Sequence, residues 1–271
     1  MRKTNMAWRL AVAVAAATMI GASETPAPKP MPVPVPGGPQ PYLGASAPDT
    51  SKILPPAPIE GSTRYEADRT MFLATRKLKD TPRWALAHND DNSTLVMTDM
   101  SCALGVELTR DNAPKLMSMI PRIARDSTRV TNAPKDLYKR QRPYLIDEGP
   151  ICIDKSESLA KSPDYPSGHV TYSWTLGLIM AELAPDRATE ILVRMRAFGE
   201  SRMVCGVHSM SAVEAGRTNG SILVAALHGS EAFRKDLEAA RNEVAAARKA
   251  GPAPDPTACA AEAELTSKSP Y

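Results

Sequence analysis

The chain has 271 residues, is 43% hydrophobic and 23% charged, and carries a formal net charge of +3. That is enough apolar sequence for one globular domain with a real core, and too little positive charge to argue for a nucleic-acid partner. Beyond the N-terminal stretch no window offers the roughly 18 uninterrupted apolar residues of a spanning helix, so no integral membrane span is expected.

Arg2, Lys3 and Arg9 precede the apolar stretch LAVAVAAATMIG and the small residues Ala22 and Ser23. Basic, apolar and small-residue parts in that order predict a secretory signal over residues 1–23, and with it a periplasmic location. Residues 24–60 are dense in proline and predict an extended leader, with Ile53 and Leu54 as candidates for packing along the folded body.

Helical signals dominate residues 61–250, the predicted domain. Met71, Phe72 and Leu78 share a face within Glu66 to Leu78. Thr81 and Pro82 read as N-cap and first residue of a helix PRWALAH. An apolar-periodic stretch runs from Ser93 to Leu104, and Asn112 is positioned to cap a helix from Ala113 to about Ser127, kinked at Pro121. The apolar run TYSWTLGLIMAELA leads up to Pro185, followed by helical segments at Ala188–Val204, Ser209–Leu227 and Ser230–Lys249. In the last, Phe233, Leu237, Ala240 and Val244 recur at helical spacing among charges. Residues 251–271 read as a C-terminal tail. Alternating strand patterns are nearly absent, so the fold class is all-α.

Cys102, Cys152, Cys205 and Cys259 contain no Cys-x-x-Cys pair and match no zinc pattern. In an exported chain they predict two disulfides, with three pairings open. His88 and His228 read as helix-end residues, and Trp84 and Trp174 as core.

Chemistry collects in three islands: KDLYKRQRP from Lys135, the turn PSGH at Pro166 to His169, and SRMVCGVH from Ser201 to His208. Singly, the first reads as a solvated basic loop and the second as a helix cap. Together they supply the fixed cations Lys135, Arg142 and Arg202, neutral donors at Ser167 and Gly168, and two histidines, His169 and His208. Arginine's planar fork matches phosphate oxygens, helix-start N–H groups favour anions, and a pair of imidazoles can divide attack and proton donation. Those are the parts of a metal-free phosphoryl-transfer site. No metal or other cofactor is called for.

The spacing Lys135-x6-Arg142-Pro143, then Pro166-Ser167-Gly168-His169, then Ser201-Arg202-x5-His208 resembles the three-part signature of the type 2 phosphatidic acid phosphatase superfamily. Within it the chain is similar to the bacterial class A nonspecific acid phosphatases, over about residues 50–250, with agreeing stretches TPRWALA and ICIDKSESLAKSPDYPSGH. The resemblance implies a helical bundle of the type shared with haloperoxidases, its site between helix ends. It implies that Lys135, Arg142, Ser167, Gly168 and Arg202 cradle phosphate. It further implies that His208 forms a phosphohistidine and His169 protonates the leaving alcohol, with small phosphate monoesters as substrates. The oligomeric state is left open, a homo-oligomer included.

The family's third motif places an aspartate four residues after the histidine; this chain has Ala212. Such a carboxylate would accept the imidazole N–H and stabilise the charge formed after attack. Glu214 points elsewhere, Ser211 offers only a hydroxyl, and nothing in the sequence places Glu200 or Asp164. Ser209 also stands where relatives usually carry tryptophan, and Val170 where they carry threonine. The expectation is therefore a weakened acid phosphatase. The alternative is a periplasmic phosphoester-binding protein that has lost catalysis.

Overall fold

The computed structural model describes residues 38–270. The predicted signal and the first part of the proline-rich stretch lie outside the described residues. Among those described there is no strand.

The chain first packs residues 39–60 along the body through two short 3-10 turns. Then follow α1 (Thr63–Thr75), α2 (Pro82–Asn89), the short α3 (Val96–Asp99) and α4 (Ser101–Leu104), and the long α5 (Pro114–Tyr138). After α6 (Glu157–Lys161) come α7 (Gly168–Leu183), α8 (Ala188–Val204), α9 (Met210–Leu227), α10 (Glu231–Ala250) and α11 (Pro256–Ser267).

The apolar character of α7 on every side has its reason in position: α8, α9, α5 and α10 all pack against it. Leu176, Ile179, Met180 and Leu183 join Met119, Ile123, Met195, Phe198 and Leu223 in one buried core. Gly216 lets α9 reach the start of α7, because a Cβ there would lie 2.9 Å from the Ser167 carbonyl oxygen. On α10 the buried face is Phe233, Leu237, Ala240 and Val244, as the spacing predicts, with Ala247 added. Each large apolar side chain so buried is worth about 1.5–3 kcal/mol, enough to dock a helix that is otherwise charged.

Helix starts were largely legible. Thr81 caps α2 with Pro82 at its first turn, and Ser62, Ser167, Ser209 and Ser230 cap α1, α7, α9 and α10. Asn112 does not cap α5; its side chain accepts from the Thr109 N–H, and Ala113 holds the cap position without a side-chain bond. Nor does α5 stop near Ser127. It continues through Pro121 and Pro134 because Val130, Thr131 and Pro134 extend the buried face for another three turns. The stretch from Ser93 to Leu104 breaks into a 3-10 turn, α3 and α4, ending at Gly105 with φ +76°.

Within the proline-rich stretch, Leu54 is buried whereas Ile53 is exposed. The backbone N–H groups of Tyr42, Leu43 and Gly44 all donate to the Asp126 carboxylate on α5, and the Thr50 hydroxyl donates to the Val130 carbonyl. The tail contains α11, tied to α4 by the disulfide Cys102–Cys259; the second disulfide is Cys152–Cys205. No helix among the described residues is long and apolar enough to cross a membrane.

Candidate active site

Lys135 sits in the last turn of α5, which ends at Lys139 in the left-handed region with φ 45°. After that reversal Arg142 follows with extended backbone. The Lys-x6-Arg spacing thus joins a helix end to a loop that turns back towards it. Arg142 is held by its own donors: Nε to the Ser162 carbonyl at 2.8 Å and Nη1 to the Val207 carbonyl at 2.7 Å.

The PSGH turn opens α7. Ser167 is buried, its hydroxyl facing the Val170 N–H and its own N–H donating to the Ala212 carbonyl at 3.0 Å. The N–H groups of Gly168 and His169 are the orphan donors of a helix start, and neither has a partner among the described residues.

The third island closes α8 and leads into α9. Gly206, at φ +84°, makes the left-handed turn after Cys205, against which Arg76 packs. Arg76 donates to the Met203 and Val204 carbonyls at 2.8 and 2.7 Å, a cation on the C-terminal carbonyls of α8. His208 precedes the cap Ser209, so it is not on α9 at all. The helical i to i+4 argument for position 212 therefore does not apply: Ala212 is fully buried in an apolar cluster with Tyr165 and Ala215.

A cavity of about 440 Å³ gathers these islands. Lys135, Arg142, Gly168, His169 and His208 line it, beside Ser162 and a polar wall of Ser93, Thr94, Ser127, Thr128, Thr131, Asn132 and Tyr172. Of the predicted residues, Ser167 and Arg202 are not on its wall. Ser167 is turned into the cap, and the fully buried Arg202 donates to the Asp91 carboxylate at 2.7 Å. Ser201 likewise faces away, donating to Asp90, which also accepts from Arg194.

The two histidines differ in setting. His169 Nε2 lies 2.9 Å from the Asp91 carbonyl oxygen and so carries the proton on that nitrogen. Burial, with Arg202 next, holds its pKa down at about 3. His208 Nδ1 lies 2.8 Å from Asp164 Oδ1, and its Nε2 is 3.2 Å from Arg142 Nη1. A guanidinium only donates, so Nε2 is the acceptor and the proton resides on Nδ1. Burial, then Arg142 and Lys135, pushes the His208 pKa well below its ordinary value, keeping the imidazole neutral. Lys135 itself is lowered to about 8, by burial first and Arg142 second.

Behind His208 lies a buried charge cluster that the motif reading did not assemble. Asp164 accepts from the Ser209 N–H at 3.1 Å and the Ser209 hydroxyl at 2.5 Å. Arg140 lies 3.6 Å from Asp164 and 2.7 Å from Asp68, and donates to the Ser209 and Ser211 hydroxyls. Asp68 in turn accepts from the Ser211 N–H and hydroxyl. Arg140 was inside the first island and Asp164 two residues before the second; only their coincidence with Ala212 could have drawn attention to them.

The PAP2 superfamily profile matches residues 123–235. The acid phosphatase of Zymomonas mobilis subsp. mobilis is 42% identical over 217 residues, covering 79% of this chain and 82% of the relative. The non-specific acid phosphatase of Providencia stuartii is 32% identical over 209 residues, 76% of this chain and 84% of its own length. That of Salmonella typhimurium is 31% identical over 195 residues, 70% and 78% respectively. A helical bundle that gathers a Lys–Arg pair, a Gly–His helix start and a second histidine, in a chain so similar to these enzymes along most of its length, belongs to the acid phosphatases of the PAP2 superfamily.

Proposed function

We propose that the protein hydrolyses small phosphate monoesters in the periplasm through a phosphohistidine at His208, using its own cations and no metal. The observation that supports this most directly is the tautomer of His208: proton on Nδ1, lone pair on Nε2 beside the Arg142 guanidinium of the cavity wall. A neutral imidazole with its lone pair next to a phosphate-binding cation is a nucleophile ready for attack.

Lys135, Arg142 and the N–H groups of Gly168 and His169 would receive the phosphoryl oxygens, with Arg202 and Ser167 supporting from behind. His208 Nε2 attacks phosphorus, the P–O bond to the alcohol breaks, and His169 in its protonated form gives a proton to the departing oxygen, returning to the neutral imidazole whose Nε2–H stays on the Asp91 carbonyl. Water then attacks the phosphohistidine, passing a proton to His169 as the P–N bond breaks, and inorganic phosphate leaves. The predicted secretory signal and the two disulfides, stable in an oxidising compartment, support the location.

The test is hydrolysis of p-nitrophenyl phosphate across pH 4–8 with EDTA present, for the full chain and for His208→Gln. Turnover that vanishes in the variant supports the reading. A wild type that binds inorganic phosphate without turnover would instead make it a phosphoester-binding protein on a phosphatase frame.

A further inference from the structure

We propose that Asp164 is the positioning carboxylate of His208, supplied from the segment before α7 in place of the one missing at position 212. This rests on the reading of His208 as nucleophile.

The geometry carries it. Asp164 Oδ1 takes both His208 Nδ1–H, at 2.8 Å, and the next residue's N–H, at 3.1 Å, while Oδ2 takes the Ser209 hydroxyl at 2.5 Å. The carboxylate thus grips the ring and the peptide that follows it, which fixes both the tautomer and the ring orientation. Among the described residues no other carboxylate bonds to His208. Arg142, Lys135, Arg202 and His169 all oppose a positive ring. When Nε2 bonds to phosphorus, the ring keeps its Nδ1 proton and becomes cationic. Asp164 is the anion in contact with that charge.

The surroundings are built for it. Asp164 is completely buried, and burial pushes its carboxyl up towards the neutral acid, opposed by Arg140 and the two Ser209 donors. Arg140 is itself pinned by Asp68 at 2.7 Å, so the cation that opposes this rise cannot swing away. The two departures from the motif next to His208 then have one explanation. Ser209 supplies a hydroxyl that a tryptophan would lack, and Ala212 has no polar role because its side chain fills the apolar contact with Tyr165.

The experiment compares the full chain with Asp164→Asn. The isosteric amide keeps the packing, yet it cannot act as a charged acceptor for Nδ1–H. The expected result is a fall in kcat of about 10²–10⁴-fold, with inhibition by inorganic phosphate changed by no more than a few fold. Unchanged kcat overturns the proposal. So does parallel loss of kcat and phosphate affinity, the pattern of a residue that merely holds the loop. A second measurement needs no variant of Asp164: imidazole ¹⁵N spectra of the wild type, with His208 assigned by its loss in His208→Gln. A proton on Nδ1 supports the pair, and a proton on Nε2 overturns it. A wild type without turnover would defeat the functional reading alone, since the tautomer still tests the pair.

Discussion

Asp164 and His208, 44 positions apart in the chain, meet at 2.8 Å in the interior, with the carboxylate inside the turn that opens α7 and the imidazole inside the turn that opens α9. The two turns are themselves joined, since the Ser167 N–H donates to the Ala212 carbonyl at 3.0 Å. The start of α7 and His208 are therefore held to each other, and disturbing either is expected to register at both.

Ala212→Asp is expected to give no gain in turnover and to lower stability by about 2–4 kcal/mol, as burial of a charge without a partner does. Position 212 is fully enclosed beside Tyr165, and a carboxylate is already present on His208. Urea unfolding and kcat of the variant check this; a clear rise in kcat would show that Asp164 leaves the role unfilled.

Arg140 bridges two buried carboxylates, Asp68 and Asp164. Removing one partner from such a group leaves uncompensated buried charge, at a cost of about 3–5 kcal/mol. Arg140→Ala is therefore expected to unfold at much lower denaturant than wild type, while Arg129→Ala, an exposed residue on α5, should lie within about 0.5 kcal/mol of it.

The pH dependence has two parts. His169 is protonated only below about 3 when surrounded by the protein's charges alone, so the fraction able to donate in the free enzyme falls as pH rises. A bound phosphate dianion favours the imidazolium and moves that pKa up. The descending limb of kcat is therefore expected at higher pH than that of kcat/KM, because the first reports the complex and the second the free enzyme. Lys135 is charged below about 8 and neutral above it, so inhibition by inorganic phosphate should weaken as pH passes 8. Lys135→Arg, whose cation persists, should flatten that second dependence.

Asp91 places a carboxylate beside the proposed phosphate site. Its carboxylate occupies Arg202 at 2.7 Å and its carbonyl oxygen occupies His169 Nε2 at 2.9 Å. Asp91→Asn removes the negative charge beside the cradle and is expected to tighten phosphate inhibition several-fold, measured as Ki at pH 6. A weaker Ki would mean that Asp91 holds Arg202 in its binding position.

The helices were legible because each carries its own instructions. Thr81-Pro82, Ser167 and Ser230 mark starts by local hydrogen bonding, and Phe233 to Val244 mark a buried face by period alone. The extent of α5 was not legible, since prolines that usually end a helix are tolerated where packing against α7 and α10 outweighs the lost bonds. Likewise the three motifs, through their family resemblance, marked residues that the fold brings together, since Lys135, Arg142, Gly168, His169 and His208 line one cavity. What tertiary structure alone decided is which carboxylate serves His208. A side chain's partner across 44 residues depends on how two loops dock, and no local pattern encodes that. The same holds for Arg202 and Ser167, named by the motif yet set behind the cavity wall, and for the disulfide pairing of Cys102 with Cys259 and Cys152 with Cys205.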